Sequence, residues 1–194
     1  MKTKEEKLTL EADDTQTINW YIDAAFGVHD DMKCHTRACM TLSKGMIWAF
    51  SNKQKVNSRS STEAELIAVD DKVSKDMWTK QFTKYQGFKV NMNVIYQDNL
   101  SSLILETNGM ESTEKRTRHF DPKLFYITDL VKRKQIKVKY CPTDKMLADY
   151  LSKPLTCSKM RAMRRWILNL NNEHLPVGQQ ECVEEWEFKE IIRK

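Results

Sequence analysis

Apolar and polar positions along the chain follow two different periods, and each change of period marks a new element. An apolar pattern runs from Thr17 to Ala24, and two more follow over Ala38 to Leu42 and Met46 to Phe50. Ser43-Lys44-Gly45 lies between the last two, a composition suited to a tight turn between antiparallel strands. The first three elements are therefore expected to form a meander. From Ser60 the period lengthens: Ala64, Ile67, Ala68, Val73, Met77, Trp78 and Phe82 fall near helical spacing, and Gly87 stands where a helix C-cap would. This predicts a long helix over Ser60 to Tyr85. Val94 to Tyr96 reads as a fourth strand, and Ser101 to Glu106 as a short helix stopped by Asn108-Gly109. Asp121 to Lys134 reads as a further helix, Ile136 to Cys141 as a fifth strand, and Asp144 to Ser152 as another helix ended by Pro154.

At 194 residues the chain is long enough to bury a core of its own. The expected organisation is a polar linker or fragment edge over 1–14, a catalytic domain over 15–155, a basic helix over 156–175 and an acidic peripheral tail over 176–194. No stretch approaches the roughly 18 to 20 apolar residues of a membrane span, and the charged start Met1-Lys2-Thr3-Lys4-Glu5-Glu6-Lys7 does not suit a secretory signal. Five cysteines scattered at 34, 39, 141, 157 and 182 suit reduced thiols in an intracellular protein, cytoplasmic or nuclear. Cys34, His35 and Cys39 lack a second pair at zinc-finger spacing. The net charge of +5 understates how basic the body is: outside 176–194 there are 29 basic and 22 acidic side chains, a balance that favours an anionic partner.

Three antiparallel strands, a helix, a strand, helices, a strand and a last helix is the element order of a ribonuclease-H-like fold. An α/β architecture with a mixed five-stranded sheet flanked by helices is expected. Four carboxylates stand in different local settings: Asp23 and Asp98 at strand ends, Glu65 in the first turns of the long helix, and Asp149 within Met146-Leu147-Ala148-Asp149-Tyr150-Leu151. Hard oxygen ligands delivered from separate elements are what a nuclease holding two divalent ions requires. Each has a structural alternative. Asp23 could be an ordinary strand-end acid, Asp98 a helix cap, and Asp149 competes with Asp144, which is placed to cap a helix start. Ser60 and Glu63 fit a capping box, which makes a structural task available to Glu63.

The segment from Lys53 to Leu66, with Arg59-Ser60-Ser61-Thr62-Glu63-Ala64-Glu65-Leu66 at its end, resembles a signature of the ribonuclease H domain of copia-type retrotransposon polyproteins. Further matches come in order: Tyr96-Gln97-Asp98-Asn99, Lys115-Arg116-Thr117-Arg118-His119-Phe120-Asp121, then Thr143-Asp144 leading to Ala148-Asp149-Tyr150-Leu151-Ser152-Lys153-Pro154-Leu155. The resemblance runs from about residue 8 to about residue 170. It implies that Asp23, Glu65, Asp98 and Asp149 are catalytic, metal-binding carboxylates holding two Mg²⁺ ions, with Mn²⁺ as an alternative. It also implies cleavage of the RNA strand of an RNA/DNA hybrid, and a reverse transcriptase domain as partner in a parent polyprotein, with virus-like particles as one setting. A rival reading, an integrase-type nuclease on the same fold, expects a different carboxylate order.

Lys53, Lys55, Arg59, Asn99, Lys115, Arg116, Arg118 and His119 flank the carboxylates in sequence and are the expected nucleic-acid contacts, with 132–139 as an extension of the basic track. His119 either contacts phosphate or holds its loop to the following helix. Arg37 and Ser43 stand where related sequences often have glycine, and Leu100 where glutamine is common. The alternative function is a hybrid-binding or structural fragment that no longer cleaves.

Overall fold

Strands β1 (Thr17–Ala25), β2 (His35–Thr41) and β3 (Met46–Lys53) form the expected meander, with β1 antiparallel to β2 and β2 antiparallel to β3. The computed structural model describes residues 6–11, 15–109, 121–151, 153 and 155–170. The basic cluster at 115–119 and the acidic tail at 176–194 therefore lie outside the described residues. After β3 the chain forms helix α1 (Ser61–Tyr85), strand β4 (Met92–Gln97), helices α2 (Leu100–Asn108) and α3 (Asp121–Lys132), strand β5 (Lys137–Tyr140) and helix α4 (Cys157–Leu168). β4 is parallel to both β1 and β5, so the sheet is mixed and five-stranded in the order β3-β2-β1-β4-β5. This is the ribonuclease-H-like arrangement expected from the element order.

Alternation along β1 sorts its side chains between two layers. Trp20 and Ile22 point to the layer built with α1 and α3, where they pack among Leu66, Val69, Val73, Leu124 and Ile127. Tyr21 faces the other layer, with Cys39, Val94, Tyr96, Met146 and Ala148. The Tyr21 and Tyr96 rings stack there at 4.8 Å.

Local chemistry explains where the helices begin. The Ser60 hydroxyl accepts the Glu63 amide at 3.1 Å, and the Glu63 carboxylate accepts the Arg59 amide, one residue before the cap rather than the cap residue itself. Two amides are satisfied either way. Asn99 caps α2 by accepting the amides of Ser101 (3.0 Å) and Ser102 (3.2 Å). Gly45 makes the β2–β3 turn possible: its φ is +83°, and a Cβ there would stand 2.7 Å from the Thr9 carbonyl.

Two segments differ from expectation. The helix expected over Asp144 to Ser152 is a 3-10 turn over Leu147–Leu151. Its approach is closed by bonds of the same short span, Lys145 to Pro142, Met146 to Thr143 and Asp149 to Met146, so the run is too tight to propagate as an α-helix. Residues 6–11, expected to belong to a linker, lie on the domain: the Thr9 amide donates to Leu168, Glu11 pairs with Lys44, and Arg164 reaches Glu6 at 2.9 Å.

Candidate active site

The strand register brings the acidic groups to one end of the sheet. In the parallel pair, Tyr21 lies opposite Tyr96, so Asp23 and Asp98 each stand two residues further along neighbouring chains. β3 ends at Lys53 on that same end, and a short connection leads into α1, whose second turn carries Glu65. One oxygen each of Asp23, Glu65 and Asp98 lies within 4.8 Å of the others. Glu65 Oε1 accepts the Ala24 amide at 3.1 Å, and Oε2 is buried with no hydrogen-bond partner. Asp98 is half-buried, and its Oδ2 accepts the Thr143 hydroxyl at 3.0 Å. The cleft at this cluster is lined also by Asn99, Leu100, Ser101, Tyr140 and Lys153.

Burial raises the Asp23 and Glu65 carboxyls above the usual carboxylate range; the charges of Asp98 and Asp149 push Asp23 further up, and those of Asp23 and Asp98 push Glu65 further up. Arg37 and Lys153 pull Asp23 back without cancelling the effect of burial. An all-oxygen donor set with an unpartnered buried oxygen suits a hard divalent cation. The residues present thus fit a metal ion at Asp23, Glu65 and Asp98.

Asp149 stands beside this group but is held differently. It is completely buried on the 3-10 turn. Its Oδ1 lies 2.5 Å from Lys153 Nζ and 3.5 Å from Arg37 Nη1, and its Oδ2 lies 3.3 Å from Lys159 Nζ. Arg37 Nη2 also pairs with Asp23 Oδ2, and Lys153 Nζ is 3.9 Å from the same oxygen. Three of the four expected carboxylates are therefore grouped for one ion, and the fourth faces three cationic side chains.

Of the expected nucleic-acid contacts, Lys53 is at the carboxylate end of the sheet and pairs with Asp31 at 2.7 Å, while Lys55 and Arg59 are exposed on the β3–α1 connection. Asn99 spends its carbonyl on the α2 cap while also lining the cleft. Lys115, Arg116, Arg118 and His119 fall outside the described residues. Of the proposed extension over 132–139, Lys137 pairs with Val94, so the turn before it, with Lys132, Arg133 and Lys134, lies at the opposite end of the sheet, whereas Lys139 pairs with Tyr96, two residues before Asp98. Sequence reasoning missed Arg37, Lys153, Lys159 and Tyr140 as site residues. The signal for Arg37 was a charge directly before the apolar pattern of Ala38 to Leu42, within the strand that forms there.

The sheet order and the carboxylates at its end define a ribonuclease-H-like domain. No family model matches the chain. Over 151 residues it is 31% identical to the retrovirus-related Pol polyprotein from transposon TNT 1-94 of Nicotiana tabacum, covering 77% of this chain and 11% of that one. Over 149 residues it is 30% identical to the retrovirus-related Pol polyprotein from transposon RE1 of Arabidopsis thaliana, covering 76% and 10%. By homology the chain belongs with the Pol polyproteins of copia-type plant transposons, and it spans about a tenth of the length of these curated relatives. Among solved structures it is similar to LC11-RNase H1 isolated from compost, at 14% identity and a TM-score of 0.49, covering 70% of this chain and 92% of that one. It is also similar to the prototype foamy virus protease-reverse transcriptase, at 9% identity and a TM-score of 0.38, covering 80% and 21%.

Proposed function

We propose that this domain hydrolyses the RNA strand of RNA/DNA hybrids as the ribonuclease H part of a retrotransposon polyprotein, beside a reverse transcriptase domain. The observation that carries the reading is the convergence of Asp23, Glu65 and Asp98 from two strand ends and a helix, with oxygens within 4.8 Å of one another. Mg²⁺ is the expected ion, with Mn²⁺ as its substitute. A divalent ion held there would supply positive charge beside the scissile phosphate, favouring the attacking water and the leaving 3′ oxygen. The protein's own part is to fix ligand geometry: the Ala24 amide orients Glu65, and Thr143 orients Asp98. Lys53, Lys55 and Arg59, with Lys115, Arg116, Arg118 and His119, are proposed to hold the hybrid's phosphates. Asn99 and Tyr140 face the cleft where groove contacts would form.

A second reading, a hybrid-binding fragment that no longer cleaves, is favoured by one observation, the buried Arg37 paired to Asp23. Incubating the purified chain and labelled hybrid with Mg²⁺ or Mn²⁺, with duplex DNA and duplex RNA as controls, separates the two. Divalent-dependent cutting of the hybrid's RNA strand alone supports the first. Hybrid binding without cutting supports the second.

A further inference from the structure

Arg37 is completely buried, and among the described residues its partners are the carboxylates of Asp23 and Asp149. None of its three guanidinium nitrogens has a geometrically good hydrogen bond. A buried arginine is held by the charges it neutralises, and here both belong to the acidic end of the sheet. The register explains its placement: Arg37 on β2 is paired with Asp23 on β1, so the two side chains share one face, and the 3-10 turn lays Asp149 over that face. Resting on the reading of this end of the sheet as a metal site, we propose that the Arg37 guanidinium takes the place of a cation between Asp23 and Asp149. The chain then holds one divalent ion, at Asp23, Glu65 and Asp98, rather than two.

Charge supports this occupancy. Four carboxylates meet Arg37, Lys153 and Lys159, which leaves one negative charge in excess. One dication overturns that small excess, whereas two would stand beside a guanidinium with little carboxylate charge left to hold them. Both Asp149 oxygens are already engaged, Oδ1 by Arg37 and Lys153 and Oδ2 by Lys159. A second ion using Asp149 must displace these groups, and Arg37 has no exposed surface through which to leave.

The test counts Mn²⁺ bound per chain, by electron paramagnetic resonance and titration calorimetry, on the full chain and its variants. One ion is expected for the wild type, two for Arg37→Gly, and one for Arg37→Lys, which keeps a cation in place. Two ions on the wild type, or one on an Arg37→Gly protein whose amide spectrum matches the wild type, overturns the proposal. Asp149→Asn gives an independent check that changes no side-chain volume: retention of the single ion supports the proposal, and its loss overturns it. If neither wild type nor Arg37→Gly binds Mn²⁺, both the proposal and the metal-site reading fail. One ion on the wild type and two on Arg37→Gly, without hybrid cleavage by either, upholds the proposal and sinks only the nuclease reading.

Discussion

Asp98 is the least buried of the three grouped carboxylates, and its oxygens face the cleft where a phosphate would enter. Asp98→Asn keeps size and the Thr143 hydrogen bond but removes a ligand charge. Divalent-dependent cleavage is expected to fall by at least about 100-fold, roughly 2.7 kcal/mol of transition-state stabilisation, with hybrid affinity retained. Cleavage kinetics beside binding isotherms check this, and an active variant removes Asp98 from the ligand set. The two glutamates of α1 divide in the same way. Glu65→Gln is expected to abolish activity, whereas Glu63→Gln weakens only the cap and costs on the order of 1 kcal/mol of stability. Equal activities for the two variants contradict the division. Arg37 carries a stability role as well: Arg37→Ala leaves Asp23 and Asp149 without their buried partner, and a loss of about 3 to 5 kcal/mol is expected in chelator. Urea denaturation with and without Mn²⁺ checks it, the ion restoring part of the loss.

At the scale of elements, much was legible because the signals are local. The Ser60–Glu63 box marked the start of α1, and Asn99 marked that of α2, since caps are short-range hydrogen bonds between residues two to four apart. Gly45 marked the β2–β3 turn for the same reason. The convergence of Asp23, Glu65 and Asp98 was legible through motif order. What was not legible depends on register and length. Nothing local says that Arg37 lies opposite Asp23, because that follows from a seven-residue antiparallel pairing across a loop. The apolar run around Asp149 fits an α-helix and a 3-10 turn alike until i→i−3 bonds are seen to close it. Lys132, Arg133 and Lys134 were adjacent in sequence to β5 but belong to its start, at the far end from the acids. The α2 cap invites its own test: Asn99→Ala is expected to cost about 1 kcal/mol in chemical denaturation and to loosen the wall of the cleft beside Asp98. A loss confined to activity, with stability unchanged, assigns Asn99 to the substrate and not to the helix.

Over the whole molecule the buried acids outside the site set a stability that depends on pH. Asp76 on α1 is fully buried beneath Trp20 and accepts the Asn93 side chain at 2.8 Å, at the end of the sheet away from the carboxylate cluster. Burial pushes its carboxyl up to about 7, against the pull of Asn93, Lys80 and Trp20. Glu106 on α2 is equally buried, has only the Ser102 hydroxyl as a hydrogen-bond partner among the described residues, and is pushed up by burial to about 8. Both folded values lie above the unfolded ones, so between pH about 4 and about 8 the native state binds more protons than the unfolded chain. Stability must then fall as pH rises through this window, each group contributing a slope of up to about 1.4 kcal/mol per pH unit. Burial lowers His35 and works in the opposite sense, but that ring is only partly buried and its contribution is smaller. In metal-free buffer the wild type is therefore expected to be less stable at pH 8 than at pH 5. Asp76→Asn can still accept the Asn93 hydrogen bond and has no charge to bury. It should match the wild type near pH 5 and exceed it at pH 8, by on the order of 2 kcal/mol. Urea midpoints at pH 5, 6, 7 and 8 for both proteins decide the matter. A wild-type stability that rises across that range, or a variant that tracks it in parallel, means that Asp76 is ionised in the folded protein and that its cluster with Asn93 and Trp20 solvates the charge.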